Sequence, residues 1–316
     1  MDTARADLLA QIAVWYYEEG LDQEAIARRI NRSRSLVSRL LEEARQAGLV
    51  EFRVNYPLKT DHELEQRLCQ AFGLAHVAVL AQPPVDHNLL LRRLGELGAR
   101  FLQQALHDHI RIGVGWGTGV HAVVRAMPFR SVAGATVVQI IGAVGYGDPM
   151  VDGAELGRWL AQKLGAAFHY LSAPLIVEDE SVAQALRRER SIAEALALAG
   201  QVEVAVAGIG TVDTRLSSLL RAGYLSAAEL ADLARCGAVG DILAHQLDAG
   251  GQELDVPANR RVIGLSDLNL LRAIPRVIAV AGGVLKAPAI LAALRGRYVN
   301  VLVTDAATAV EVLTLQ

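Results

Sequence analysis

From residue 76 onward the chain alternates short, continuous apolar runs with longer amphipathic segments, and this rhythm restricts the fold more than any other feature. The runs are 76–80, 110–116, 135–142, 167–171, 202–209, 261–265, 276–281 and 299–304. Segments with helical spacing separate most of them: 87–106, 119–126, 153–164, 179–198, 214–221, 226–235, 287–295 and 305–314. A strand that is apolar on both faces must be covered on both, and intervening helices supply the crossover that parallel pairing needs. The pattern predicts a large, mainly parallel α/β domain with helices on each side of its sheet. A helix over 61–72, with Leu64, Leu68 and Phe72 on one side, leads into it.

The first 56 residues read differently. Leu8, Leu9, Ile12, Ala13 and Tyr16 recur at helical spacing over 4–19, and Gly20 ends that helix. A second helix spans 22–30, with Ile26, Ala27 and Ile30 inward. Ser33 is an N-cap for a third, which buries Val37, Leu40, Leu41 and Ala44 and leaves Arg34, Ser35, Ser38, Arg39 and Glu42 outside. Gly48 stops it, and Val50–Val54 alternates like the strand of a small wing. Two short helices joined by a tight polar turn form a helix-turn-helix. Pro57 and the polar stretch 59–62 mark a boundary, so the expected domains are 1–56 and 61–316.

Charge supports a nucleic-acid face only when read locally. The whole chain carries a net charge of −3, and residues 1–60 hold nine basic and nine acidic side chains. Residues 25–41, however, hold Arg28, Arg29, Arg32, Arg34 and Arg39 and no acid. The field that a phosphate meets is this local one. The turn and first turns of the third helix, with the residue that opens the second, present Gln23, Arg32, Ser33, Arg34, Ser35, Ser38 and Arg39 as candidate contacts to double-stranded DNA. For any single arginine there, a phosphate contact or a solvated group competes with a base contact.

Four further constellations lie at strand ends of the α/β segment, where ligands of parallel sheets bind. Gly113, Gly115, Gly117 and Gly119 fall between a strand and a helix. This is either a phosphate loop, with backbone N–H groups aimed at an anion, or a tight strand–helix turn. It matches neither the dinucleotide fingerprint nor the Walker loop. Lys286 follows the glycine pair 282–283 and is one of only three lysines among 31 basic residues. It is a point charge for phosphate or a solvated loop residue. Gly208 and Gly210 make a small-residue turn, and Asp241 ends Gly237-Ala-Val-Gly-Asp241, as a partner for sugar hydroxyls or as a turn residue. Gln139, within an apolar strand, needs a hydrogen-bond partner, from a ligand or from a neighbouring backbone.

Several function classes fall away. No apolar run reaches the roughly 18 residues that a membrane span needs, and the start of the chain lacks a signal peptide's pattern. The expected location is the cytoplasm. Cys69 and Cys236 are far apart in sequence and read as two buried free thiols. The eight histidines form no metal-binding pair and no nucleophile elbow is present, so no metal, cofactor or catalytic residue is expected.

Taken together, these residues resemble the SorC-type sugar-binding transcriptional regulators, over nearly the whole chain. The resemblance rests on the helix-turn-helix segment 23–41, Gly115-Trp-Gly-Thr118, Gln139, Gly208-Ile-Gly210, Gly237–Asp241, Asn259–Gly264, Ala281–Lys286 and Val301–Asp305 in that order. It implies an effector domain similar to the phosphosugar isomerase and CoA transferase fold, a phosphorylated sugar as effector, and assembly as a dimer or tetramer. It also implies roles: Gly115, Gly117, Thr118, Gly119 and Gly210 around the ligand, Lys286 on phosphate, and Gln139 and Asp241 on the sugar. One position departs, because the family often has a second threonine where this chain has Gly119. A rival reading is an active phosphosugar isomerase or deaminase with an appended DNA module. A third is a structural DNA-binding protein with a relict domain.

Overall fold

The computed structural model describes residues 3–50, 58–145, 152–265 and 267–316. The wing strand expected over 50–54 falls almost entirely outside the described residues, as does Pro57. The chain divides into two compact units, Met1–Pro57 and Leu58–Gln316.

In the first unit, helices α1 (Thr3–Ala13), α2 (Gln23–Arg29) and α3 (Arg34–Gln46) enclose a small aliphatic core. Leu9, Ile12, Ile26, Val37, Leu40, Leu41 and Ala44 are buried in it. The single helix expected over 4–19 instead widens after Ala13 into a π turn, Val14–Glu18, where Glu19 N–H reaches Val14 O at 3.0 Å. The wider turn seats the Trp15 ring under the Arg29 guanidinium, 4.5 Å from the ring centre. Each following helix is capped from its sequence: the Asp22 carboxylate accepts from Ala25 N, and the Ser33 hydroxyl from Leu36 N.

The second unit opens with α4 (His62–Phe72), β1 (His76–Leu80), α5 (His87–Ala105), β2 (Arg111–Val114), α6 (Thr118–Ala126) and β3 (Thr136–Gln139). It continues with α7 (Gly153–Leu164), β4 (Ala167–His169), α8 (Glu180–Arg188), α9 (Arg190–Ala199), β5 (Val204–Ala207), β6 (Ile209–Thr211), α10 (Ser218–Arg221) and α11 (Ala227–Arg235). It ends with β7 (Ala238–Ile242), β8 (His245–Asp248), α12 (Pro257–Arg260), α13 (Asn269–Ala273), β9 (Arg276–Val280), α14 (Ala287–Arg295), β10 (Val301–Asp305) and α15 (Ala306–Thr314). Seven strands form a parallel sheet in the order β1-β10-β9-β5-β2-β3-β4. Alternate residues serve opposite faces. Val204 and Val206 pack with α5, α6 and α7, whereas Ala205 and Ala207 join the cluster built on α11, α14 and α15. That double burial is why the strands read as continuous apolar runs. Among the described residues no helix is long and apolar enough to cross a membrane.

The expected strand 202–209 divides at Gly208. β5 stays in the large sheet, and β6 leaves it to pair antiparallel with β7, which pairs with β8. This three-stranded sheet was not expected, because its hairpin turn, Leu243-Ala244, contains neither glycine nor asparagine. Both residues nevertheless lie in the left-handed region, at φ 49° and 65°. Two other expectations change. The helix over 179–198 breaks at Glu189, whose backbone is extended at ψ 131°. The run 261–265 makes only isolated bridges, Val262 to Ile176 and Gly264 to Ile141. The thiols are also more open than expected: Cys69 is half-buried and Cys236 exposed.

Helix α5 lies directly on α6 because Gly95 and Gly98 present no side chain at the crossing. Alanine normally stabilises an exposed helix interior by about 0.5–1 kcal/mol over glycine. At position 95 the added Cβ would collide with the Ala122 backbone. Gly95→Ala is therefore expected to destabilise the fold by about 1–3 kcal/mol, read as a lower urea midpoint.

Candidate functional site

In the first unit the exposed side of α3 carries Arg34, Ser35, Ser38 and Arg39, opposite its buried Val37, Leu40 and Leu41. Arg28, Arg34 and Arg39 have no acidic partner among the described residues, so their charge is open to a ligand. The other basic groups are engaged. Arg5 clamps Glu43 through two hydrogen bonds at 3.0 and 2.6 Å, tying α1 to α3, and Arg45 pairs with Glu42 at 3.2 Å. Arg32 turns back to the Asn31 carbonyl at 3.3 Å. The Ser33 and Ser35 hydroxyls lie 3.1 Å apart, so each is partly spent on the other. Gln23 opens α2, half-buried.

In the second unit a cleft opens at the carboxyl ends of β2, β5 and β9. Gly117, Thr118, Gly119, Gly210, Asp241 and Lys286 all line it, six of the eight residues singled out from sequence. The turn into α6 requires its glycines. Gly117, the N-cap, has φ 102°, a region closed to side chains, and no side chain caps the helix. The first N–H groups of α6 thus face the cleft without a capping side chain, at the positive end of the helix dipole. At Gly119 a Cβ would collide with the Val280 carbonyl oxygen. The absence of a second threonine is therefore matched by a closer approach of α6 to the end of β9.

Lys286 lines the same cleft. It is buried, not solvated, and its ammonium donates to the Ile209 carbonyl at 2.7 Å. Burial, only partly opposed by the Asp241 charge, lowers its pKa to about 8. Asp241 is also buried, and its carboxylate accepts from Ala244 N at 3.2 Å across the hairpin turn. Burial outweighs Lys286 and that hydrogen bond and raises its pKa to about 6. The carboxylate lies over Gly210, where any Cβ would strike it. Asp241 and Lys286 thus both meet β6, at Gly210 and at Ile209. Between about pH 6 and about pH 8 both are charged.

Two expected residues lie elsewhere. Gln139 is fully buried and does not line the cleft. Its amide donates to the Ile141 carbonyl at 2.7 Å and accepts from Leu171 N at 3.2 Å, so both ends serve backbone groups that would otherwise be unsatisfied. Gly115 also sits outside the lining, against Leu243 and Val206 O, where a Cβ would be 3.1 Å from each. It makes room for the hairpin that carries Asp241. The cleft adds Leu91, Ser218 and Val280, which no sequence signal distinguished from ordinary core and loop residues. Among the described residues no group of three or more His, Cys, Asp or Glu could hold a metal ion.

Comparison with known proteins gives a consistent picture. A family model described as a sugar-binding domain matches residues 56–314. The transcriptional regulator LsrR of Enterobacter sp. (strain 638) is 37% identical over 312 residues, covering 98% of this chain and 93% of its own. The deoxyribonucleoside regulator of Bacillus subtilis (strain 168) is 32% identical over 309 residues, covering 98% of both. Among solved structures, the full-length sorbitol operon regulator SorC of Klebsiella pneumoniae superposes with a TM-score of 0.74 at 29% identity, over 99% of this chain and 100% of that one.

If Gln139 is a structural bridge, its loss should act on stability and not on the cleft. Gln139→Leu is expected to cost about 2–3 kcal/mol, since it strands a buried carbonyl and a buried N–H. Chemical denaturation measures the loss, and unchanged ligand affinity of the folded fraction checks the assignment.

Proposed function

The chain belongs to the family of transcriptional regulators that carry this sugar-binding domain, and we propose that its effector is a phosphorylated sugar seated in the cleft at the end of β2, β5 and β9. One observation carries the reading: the first turn of α6, which has no side-chain cap among the described residues, and a buried lysine ammonium line the same cleft. A helix N-terminus with an adjacent cation stabilises an oxyanion, and a neutral sugar would make little use of either. In this reading the phosphate rests on the N–H groups and hydroxyl of the Gly117–Gly119 turn. Lys286 supplies charge. Among the described residues one of its three N–H donors is spent, on Ile209, which leaves the others for the ligand. Asp241 accepts hydrogen bonds from sugar hydroxyls.

The first unit reads double-stranded DNA through α3 in the major groove, with Arg34, Ser35, Ser38 and Arg39 toward the bases and Arg28 and Arg32 toward the backbone. The protein acts in the cytoplasm as a homo-oligomer, a dimer or a tetramer, because one short helix-turn-helix makes too few contacts for specific binding. Effector controls DNA binding only if it binds two arrangements of the assembly unequally. The cleft senses rather than converts its ligand; turnover of a phosphosugar by the purified protein would favour the isomerase reading.

Two tests follow. Arg39→Ala is expected to weaken operator binding by about 1–3 kcal/mol in a gel-shift titration, with little change in thermal midpoint. Unchanged binding by both Arg34→Ala and Arg39→Ala would refute the placement of α3. Effector affinity should be greatest between about pH 6 and about pH 8. Below that window Asp241 takes up a proton and loses acceptor capacity. Above it Lys286 loses a proton and a charge. Calorimetry with one sugar in phosphorylated and unphosphorylated forms checks the profile. Lys286→Met should abolish the high-pH limb, and equal binding of the two forms would overturn the phosphate reading.

A further inference from the structure

Helix α10 brings a second cation to the cleft, one that no motif pointed to. Its first residue, Ser218, lines the cleft, and its last, Arg221, donates to the Ser218 hydroxyl at 3.0 Å. The helix is short but anchored: the Ser217 hydroxyl accepts from Leu220 N at 3.3 Å, and Leu219 is buried. The backbone that carries Arg221 is therefore held in place, while its guanidinium is exposed and has no carboxylate partner among the described residues. The same charge is felt across the cleft mouth. After burial, Lys286 and then Arg221 hold His87 below its ordinary pKa, and Arg221 adds to the lowering at Lys286.

The acids nearby, Asp86 and Asp305, oppose this field at His87 by less than the two cations lower it, and both are engaged with their own helices. Asp86 is committed to capping α5 through Leu89 N at 2.7 Å. Asp305 accepts from Gly283 N at 2.8 Å and from the Thr308 hydroxyl at 2.6 Å. Gly283 in turn leads into Lys286, accepting from its N–H at 2.8 Å. An exposed guanidinium, tethered to a hydroxyl of the cleft wall that Lys286 also lines, can share an anion with that ammonium. The guanidinium fork suits two oxygens of one phosphate, which a point charge does not.

We propose that Arg221 is a further anion-binding residue of the cleft, closing over the outer oxygens of a phosphate whose inner oxygens face Lys286 and the first turn of α6. This rests on the phosphate reading of the cleft, and the test separates the two. Inorganic phosphate is titrated into the full chain and followed by phosphorus NMR and calorimetry, for the wild type, Arg221→Gln, Arg221→Lys and Lys286→Met. The expected result for Arg221→Gln is a loss of about tenfold in phosphate affinity, with the phosphate-free thermal midpoint unchanged. Arg221→Lys should recover only part of it, since the charge returns without the fork. If Arg221→Gln binds phosphate like the wild type while Lys286→Met does not, Arg221 lies outside the site and the cleft reading stands. If the wild type itself does not bind phosphate, both fall.

Discussion

A lysine ammonium that has given up most of its water sets the character of the cleft. Removing a charge from water is costly unless hydrogen bonds and opposing charge replace the lost hydration. Lys286 receives one direct bond, from its ammonium to the Ile209 carbonyl, and the field of Asp241. That is incomplete compensation, and the downward pull of burial on its pKa expresses it. A ligand carrying negative charge completes what the protein leaves undone. The same reasoning applies in reverse at Asp241, where burial favours the neutral acid and a sugar hydroxyl would restore the charged form's hydrogen bonds. Much of the surrounding structure serves to hold these two groups against one strand. Gly240 lets β7 sit against Ala289 of α14, and Gly210 lets the carboxylate lie flat over β6.

How much of this was legible in the residues depended on which physical signal each element carries. Strands covered on both faces announce themselves by unbroken apolar runs, and β1 was read at its observed bounds, His76–Leu80. So was α7, where Asp152 caps the start and Gly165, left-handed at φ 59°, ends it. The β7–β8 hairpin was invisible because its turn is built from Leu243 and Ala244, residues that rarely adopt positive φ. The turn persists because both side chains are buried and Ala244 N–H is held by Asp241. Strain of this kind is stabilised by tertiary contacts, which composition and periodicity do not encode. For the same reason Gln139 was ambiguous: whether a buried amide meets a ligand or a backbone depends on what Leu171 and Ile141 bring to it in three dimensions.

On the proposed reading, the two units would meet nucleic acid and ligand with opposite electrostatic designs. On α3 Arg34 and Arg39 are exposed and have no acidic partner among the described residues, so their attraction to phosphate is long-ranged and weakened by salt. In the cleft the cation is buried and its field is little screened, so binding there depends on fit and protonation more than on ionic strength. A regulator with both devices can let salt and operator sequence govern one equilibrium while the effector governs the other. The thermodynamic link between them is the unequal affinity of effector for the two DNA-binding arrangements, and it is reciprocal: DNA that favours one arrangement must shift effector affinity by the same factor.

On the phosphate reading, Gly119 bears on where selectivity for the effector would reside. Because a side chain there would collide with the Val280 carbonyl, the first turn of α6 approaches the end of β9 more closely than any larger residue allows. On the phosphate reading, the contact then comes from backbone N–H groups and the single Thr118 hydroxyl. Backbone donors recognise an oxyanion but say little about the molecule that bears it. The discriminating contacts must lie further along the cleft, where Asp241 and Ser218 offer hydrogen bonds and Leu91 and Trp116 offer apolar surface. Asp241 is the more stringent of these, since a buried carboxylate left without its hydroxyl partner carries a desolvation cost that an apolar wall does not. A ligand with a phosphate but no hydroxyl placed to reach Asp241 would be held by the α6 turn and rejected by the hairpin.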